Sequence, residues 1–350
     1  MALFPKVGRK QIHLRLSWWA ITIFLCLGVL LHLLPFYYMI SLSFTPAEET
    51  MSPTPKVFPT RPTAVAWKLV YSIASKDLVD GGVFDSIATR LLEHPFYVYF
   101  KNSLIMTFGT LALSLPITSM AAYANSKLVR GRSSRWLFLF FIGTIMIPGV
   151  VTLVPSLLLT RNFPFPLPVT PLIPGTDKAF PYIRIWNTPW AVIIPGVFSA
   201  FNFLMFKGYF DTIPDSIIQA ARVDGGSEFN IFRRIILPMS VPVFAVCAWM
   251  QFGGVWESYL WPLVVIQDAD KQPVTVVISR MVQAFQRSQA TNAESAANMA
   301  NNPELKKLLE AGLSWNGLMV LGLLQTMPIF VMFIICREYL MKGIRIRGLR

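Results

Sequence analysis

Cysteine is scarce and scattered: Cys26, Cys247 and Cys336 are the only three, each inside a different apolar run. That spacing shows neither a disulfide framework nor a thiolate metal site, and leaves the three as small hydrophobes. Histidine is equally sparse. His13, His32 and His94 lie far apart, so no His-Glu-x-x-His pair exists to hold a catalytic zinc. There is no Gly-x-x-x-x-Gly-Lys-[Ser/Thr] loop to cradle a phosphate, so the chain has no nucleotide-hydrolysing site of that kind. A Gly-x-Ser-x-Gly elbow is missing as well. These absences argue against an enzyme: no catalytic residue, no metal ligand and no cofactor of its own is expected.

Charge is thin too. Only 14% of the 350 residues are charged while 54% are hydrophobic, and the mean hydropathy of +0.53 is too high for an ordinary soluble domain. The chain belongs in a bilayer. Its net charge of +13 sits in three short segments. Lys6, Arg9, Lys10 and Arg15 precede the first apolar run; Lys127, Arg130, Arg132 and Arg135 fill a short gap; Arg337, Lys342, Arg345, Arg347 and Arg350 crowd the end. Basic residues concentrated beside apolar runs mark the cytoplasmic side and attract anionic membrane lipid, so they report topology and no nucleic acid is expected.

Six apolar runs follow one another, which predicts an all-α integral membrane protein with six transmembrane helices. Residues 1–17 form a cytoplasmic N-terminal segment and 18–350 the membrane domain. The first run, Trp18 to about Phe44, is longer than a signal-peptide core and reads as a retained helix, with Pro35 as a kink and His32 satisfied by a neighbouring carbonyl. Then come Asn102–Ala124, bent at Pro116, Trp136–Leu159, Trp190–Phe206, Val241–Ile266 and Leu313–Ile335. The third contains Pro148, Gly149 and Pro155; it is either broken beside a pathway or a kinked packing helix. External loops are expected at about 45–100, 161–189 and 267–312. The first is proline-rich, with room for short helices over Ala64–Leu92; the last has an Ala- and Asn-rich stretch, Asn292–Leu309, that reads as a further helix. Both termini then fall in the cytoplasm.

The loop 207–238 between the fourth and fifth runs is different in kind. Pro214 and Asp215 suit the first turn of a helix, where a missing N–H costs nothing and a carboxylate meets the positive dipole end. Ile217, Ile218 and Ala221 fall on one face, and Gly225-Gly226 supplies the left-handed residue that ends the helix. Ser227 is placed to cap a second helix that carries Phe229, Phe232 and Ile236 along one side up to Pro238. A short helix, a glycine bend and another short helix make a segment suited to touching another protein.

Gln219-Ala220-Ala221, three residues, Gly225, nine residues, then Ile235-x-Leu237-Pro238 resembles the EAA loop of ABC importer permeases. The lead-in Phe201–Pro214 is similar to carbohydrate-importer permeases of the MalG type, as are the Ala-Tyr-Ala exit of the second run and the C-terminal Tyr339–Gly348. The resemblance implies the type I (MetI-like) permease fold and a prokaryotic cytoplasmic membrane. It also implies partners: a second homologous permease, two ABC ATPase subunits that bind ATP and Mg, and an extracytoplasmic sugar-binding protein. The coupling residues it implies are Gln219, Ala220, Ala221, Asp224, Gly225, Ile235, Leu237 and Pro238. Gln219 stands where the family carries an acid; its amide keeps hydrogen-bonding capacity and loses the charge.

Inside the fifth run, Phe252–Leu263 contains Glu257, the only acid within a span, a costly placement unless it faces a cavity or partner. The stretch is similar to the family's Trp-Asn-x-Phe-Leu-x-Pro-Leu pattern, with Glu257 at the amide's place. Trp256, Glu257 and Tyr259 are therefore candidates for the substrate path; an aromatic belt at the membrane interface is the competing reading. Three functions remain distinguishable: the permease of a carbohydrate ABC importer, an ion-coupled secondary transporter titrating Glu257, and a membrane scaffold that recruits a soluble protein. The second is disfavoured by the single intramembrane acid.

Overall fold

The computed structural model describes residues 12–50, 56–74, 96–129, 131–163, 184–290 and 314–343. Among them there are helices and no β-strand. The helix expected over 292–309, residues 75–95 of the first loop and most of the terminal basic residues lie outside that set.

The first apolar run is one helix, α1 (Ile12–Ser43). At 1.5 Å per residue it is about 48 Å long, more than the ~30 Å of a hydrocarbon core. Pro35 does not interrupt it, and His32 Nδ1 lies 2.7 Å from the Gly28 carbonyl, so that ring is satisfied within its own helix. Two short helices follow, α2 (Ala47–Thr50) and α3 (Val65–Ala74). The second run is α4 (Phe96–Tyr123), which carries Pro116 and ends in a π turn, Ala124–Leu128.

The third and fourth runs are broken. α5 (Arg132–Ile145) stops before Pro148-Gly149 and the chain resumes as α6 (Leu153–Arg161). α7 (Trp190–Ile193) gives way at Pro195-Gly196, and Ser199, whose Oγ accepts the Asn202 N–H, starts α8 (Ala200–Asp211). The physical reason is the same in both: proline cannot donate to the helical ladder, and a following glycine adds no side chain to hold the turn. The hairpin that follows is made of α9 (Asp215–Val223), α10 (Glu228–Ile231), a π turn (Phe232–Ile236) and α11 (Leu237–Met239). The fifth run is α12 (Val241–Trp256) and α13 (Leu260–Val265). The chain closes with α14 (Val274–Ala290) and α15 (Trp315–Gly343). Among the described residues three helices are long and apolar enough to cross a membrane, α1, α4 with its π turn, and α15. They become four if the segment 228–239 and α12, bent by 79° at Ser240, count as one.

The chain divides into two compact units, 1–73 with 288–324, and 74–287 with 325–350. In the first, Asn316 Nδ2 donates to Thr45 O (3.0 Å), Thr50 and Ser314 hydroxyls meet at 2.8 Å, and the Phe44 and Trp67 rings stack. In the second, α4 is the central post, packed most extensively on α8 and α12. Its buried face is a row of small polar residues, Ser103, Thr107, Thr110, Ser114 and Thr118, which lets neighbouring backbones approach closely. Where α8 begins, that row supports the break: Thr118 Oγ1 accepts the Ser199 N–H, and Asn202 Nδ2 donates to Gln251 Oε1 at 2.6 Å.

Candidate coupling site

The hairpin between α8 and α12 is assembled from local signals. α8 ends at Thr212, and Pro214, at φ −59° and ψ 132°, is the extended residue before α9. At the other end of α9 the Gly226 N–H donates to Ala221 O (2.9 Å) and the Gly225 N–H to Arg222 O (3.0 Å), while Gly225 sits at φ +80°. That nested pair of bonds with a left-handed residue is a Schellman stop, and it needs glycine at 225. Gly226 is required for a different reason, because a Cβ there would lie 2.8 Å from the Ala221 carbonyl oxygen. Ser227 takes the extended N-cap conformation, but its side chain makes no capping bond.

One face of this hairpin is packed inward. Ile218, Ile231, Phe232 and Ile236 are buried in a cluster with Phe203, Phe206 and Phe210 of α8 and Tyr123 of α4; Ile217, Ala221 and Ile235 pack against it. The π turn explains a departure from the expected pattern: it places residues i and i+5 on one face, so Ile231 aligns with Ile236, and Phe229 is turned out, 61% exposed. Of the residues expected at the coupling loop, Gln219, Ala220, Asp224, Gly225, Leu237 and Pro238 are exposed and Ala221 and Ile235 are half-buried. Val223 is 88% exposed, so it and Phe229 each present an apolar side chain outward.

Polar contacts tie the hairpin to the end of α4. The Tyr123 hydroxyl donates to Glu228 Oε2 at 2.9 Å, and Arg222 Nε donates to Glu228 Oε1 at 2.6 Å. The Arg222 hydrogen bond holds the Glu228 carboxyl below its ordinary range, and the same bond holds the guanidinium above its own. Lys127, in the π turn after α4, is buried; its Nζ donates to Asp215 Oδ1 and to Ile213 O, both at 2.8 Å. Ser126 Oγ donates to Asp211 Oδ1, which pairs through its other oxygen with Lys207. Sequence reasoning counted Lys127 only as a topology signal and missed Tyr123, Asp215 and Glu228 as partners, since these contacts join residues more than eighty positions apart.

The three substrate-path candidates separate. Trp256 is buried; its Nε1 donates to Gln325 O at 2.9 Å, its ring stacks on Phe252 and meets Phe100 edge-on. Glu257 and Tyr259 are exposed, on either side of the break between α12 and α13. An open cleft of about 570 Å³ lies beside them, lined by Thr110, Thr152, Ser156, Gly196, Ser258 and Trp261 among others; the three candidates are not in its wall.

Bilayer-length apolar helices, broken helices packed around a polar-faced post, and a glycine-bent hairpin with outward apolar side chains define a helical membrane protein with an exposed docking hairpin. Residues 114–346 match the family described as the binding-protein-dependent transport system inner membrane component, and the chain belongs to that family. It is 23% identical over 321 residues to the polygalacturonan/rhamnogalacturonan transport system permease protein YtcP of Bacillus subtilis (strain 168), covering 91% of this chain and 93% of the relative. It is 25% identical over 256 residues to the arabinooligosaccharides transport system permease protein AraQ of Halalkalibacterium halodurans, covering 73% of this chain and 75% of that one. Among solved structures, a chain of a bacterial ABC transporter involved in the import of the acidic polysaccharide alginate superposes with a TM-score of 0.66 at 17% identity, over 97% of this chain and all of that one. That likeness supports the MetI-like helical fold.

Proposed function

We propose that this chain is the transmembrane permease subunit of an ATP-binding-cassette importer for a carbohydrate. It pairs with a second homologous permease, binds two ABC ATPases through the exposed face of the 207–238 hairpin, and receives sugar from an extracytoplasmic binding protein. The hairpin and both termini lie in the cytoplasm. ATP and Mg belong to the ATPases. The observation that carries the reading is the hairpin itself: an inward face locked into the core and an outward face of Gln219, Ala220, Val223, Asp224 and Phe229 left free. A rigid, partly apolar knob on a membrane domain is what a soluble motor needs in order to push on it. Carbohydrate is favoured by the relatives, whose names refer to polygalacturonan, arabinooligosaccharides and lactose.

When the ATPases close, the two hairpins move with them and the helices bearing them switch the cavity between inward and outward access; a change of bound nucleotide drives the switch only because it favours one state over the other. Glu257 and Tyr259, exposed at the α12–α13 break, are assigned to the substrate path, and Trp256 backs them from within the packing. The test is purification from native membranes followed by uptake. Co-purification of an ATPase and a second permease, together with ATP-dependent sugar uptake, supports the reading; a chain that never brings an ATPase with it overturns it.

A further inference from the structure

We infer that Tyr123 and Lys127 form a two-point linkage that fastens the coupling hairpin to α4, so that hairpin and post move as one body during transport. The inference rests on the coupling role proposed above and names the residues that carry the movement onward.

The hairpin has two arms, and the end of α4 holds each of them. Lys127 grips the arm that contains α9, through the Ile213 carbonyl before the helix and the Asp215 carboxylate in its first turn. Tyr123 grips the arm that contains α10, through Glu228, and its ring also meets Phe232 at 5.4 Å and Phe210 at 6.4 Å. Glu228 closes the figure by reaching Arg222 at the end of α9, so the two arms are cross-braced above the glycine bend. Ser126 adds a third contact, to Asp211 at the end of α8. The π turn Ala124–Leu128 widens the helix end just where Ser126 and Lys127 reach the incoming arm.

Burial decides which contacts bear load. The Lys127 side chain is 6% exposed, so its ammonium has little water to fall back on; the Asp215 carboxylate is 57% exposed, so the firmer hold is on the Ile213 carbonyl. An exposed pair, by contrast, breaks and reforms at little cost. A lysine buried against a backbone carbonyl and a carboxylate resists both pulling and sliding of that arm. From this anchor α4 runs past the start of α8 and along α12, which ends at Glu257, two residues before Tyr259. Movement of the hairpin is thus delivered to α4 directly, not only through the chain connections at Thr212 and Ser240.

The test uses the complete transport complex in membranes or proteoliposomes, with sugar uptake and ATP hydrolysis measured on the same sample. Tyr123→Phe and Lys127→Met are expected to leave the ATPases bound and hydrolysing while uptake per ATP falls roughly 2- to 30-fold. Lys127→Arg, which keeps a donor at that place, is expected to recover most of it. Unchanged uptake per ATP in both weakening variants overturns the inference. A second arm does not depend on those variants folding: Ser126→Cys and Asp211→Cys, whose parent side chains touch where the end of α8 leads into the hairpin, are joined by a disulfide or a short thiol cross-linker. If hairpin and post move together, the joined complex transports as well before reduction as after it. If cross-linking stops uptake and reductant restores it, the two move relative to each other and the linkage is wrong. A wild-type chain that brings no ATPase defeats the coupling role itself, an outcome distinct from either of these.

Discussion

At the scale of single residues, the three glycines at 208, 225 and 226 sort themselves by surroundings. Gly225 occupies φ +80°, where an L side chain costs about 1–2 kcal/mol and a β-branched one more. Gly225→Val is therefore expected to weaken the turn and to reduce ATPase co-purification and uptake together. Gly226→Ala forces the new Cβ against the Ala221 carbonyl and is expected to loosen the same turn, whereas Gly208→Ala meets nothing within 4 Å and is expected to transport normally. Uptake assays on the three variants check the order. The Arg222–Glu228 bridge gives a pH prediction. Because the folded carboxyl is held low by Arg222, its contribution is fully present above the ordinary carboxylate range and is lost only as pH falls through the lowered value. Hydrogen exchange of the hairpin amides, corrected for the intrinsic rate, is expected to be flat from about pH 6 to 8. Glu228→Gln is expected to raise it at every pH by the equivalent of about 0.2–1 kcal/mol, since both partners are a third or more exposed.

At the scale of elements, the local signals were readable and the long-range ones were not. Pro214-Asp215 and Gly225-Gly226 mark the ends of α9 because capping is written in adjacent residues. The breaks in the third and fourth runs were readable to different degrees. Pro148-Gly149 raised the question directly, while Pro195-Gly196 lay inside a run that looked continuous and proved to be two short helices. A regular helical period puts Phe229, Phe232 and Ile236 along one side; in the structure Phe232 and Ile236 are buried and Phe229 is exposed, with a π turn at Phe232–Ile236 altering that period. No composition signal announces a π turn. The roles of Tyr123 and Lys127 were hidden for another reason: a basic residue after an apolar run carries the same topological meaning whether it faces water or Asp215. Within the inner cluster, Phe206 is fully buried, stacks on Phe210 at 5.9 Å and packs on Phe244 at 4.5 Å. In a bilayer its replacement loses packing more than it loses water exclusion, so Phe206→Ala is expected to cost on the order of 2 kcal/mol through the void it leaves. A lowered melting temperature of the detergent-solubilised complex is the measurement.

At the scale of the whole molecule, the energy source separates the importer from an ion-coupled carrier. In the coupled carrier the titrating acid has to be shielded from bulk water in at least part of the cycle and surrounded by groups that exchange protons or ions with it. Glu257 ends α12 outside the wall of the nearby cleft, whose hydroxyl-bearing lining among the described residues, Thr110, Thr152, Ser156 and Ser258, is uncharged. Such a lining offers hydrogen bonds to a neutral polyhydroxylated ligand and no second carboxylate to share a proton. Uptake into vesicles is therefore expected to persist when a protonophore collapses the gradient and to stop when internal ATP is removed. Glu257→Gln should then preserve the energy dependence while changing the apparent affinity for sugar, because an amide still accepts and donates where the carboxylate only accepts. Uptake that survives ATP depletion and vanishes with the gradient would assign the work to Glu257 and leave the hairpin as a binding surface with no motor behind it.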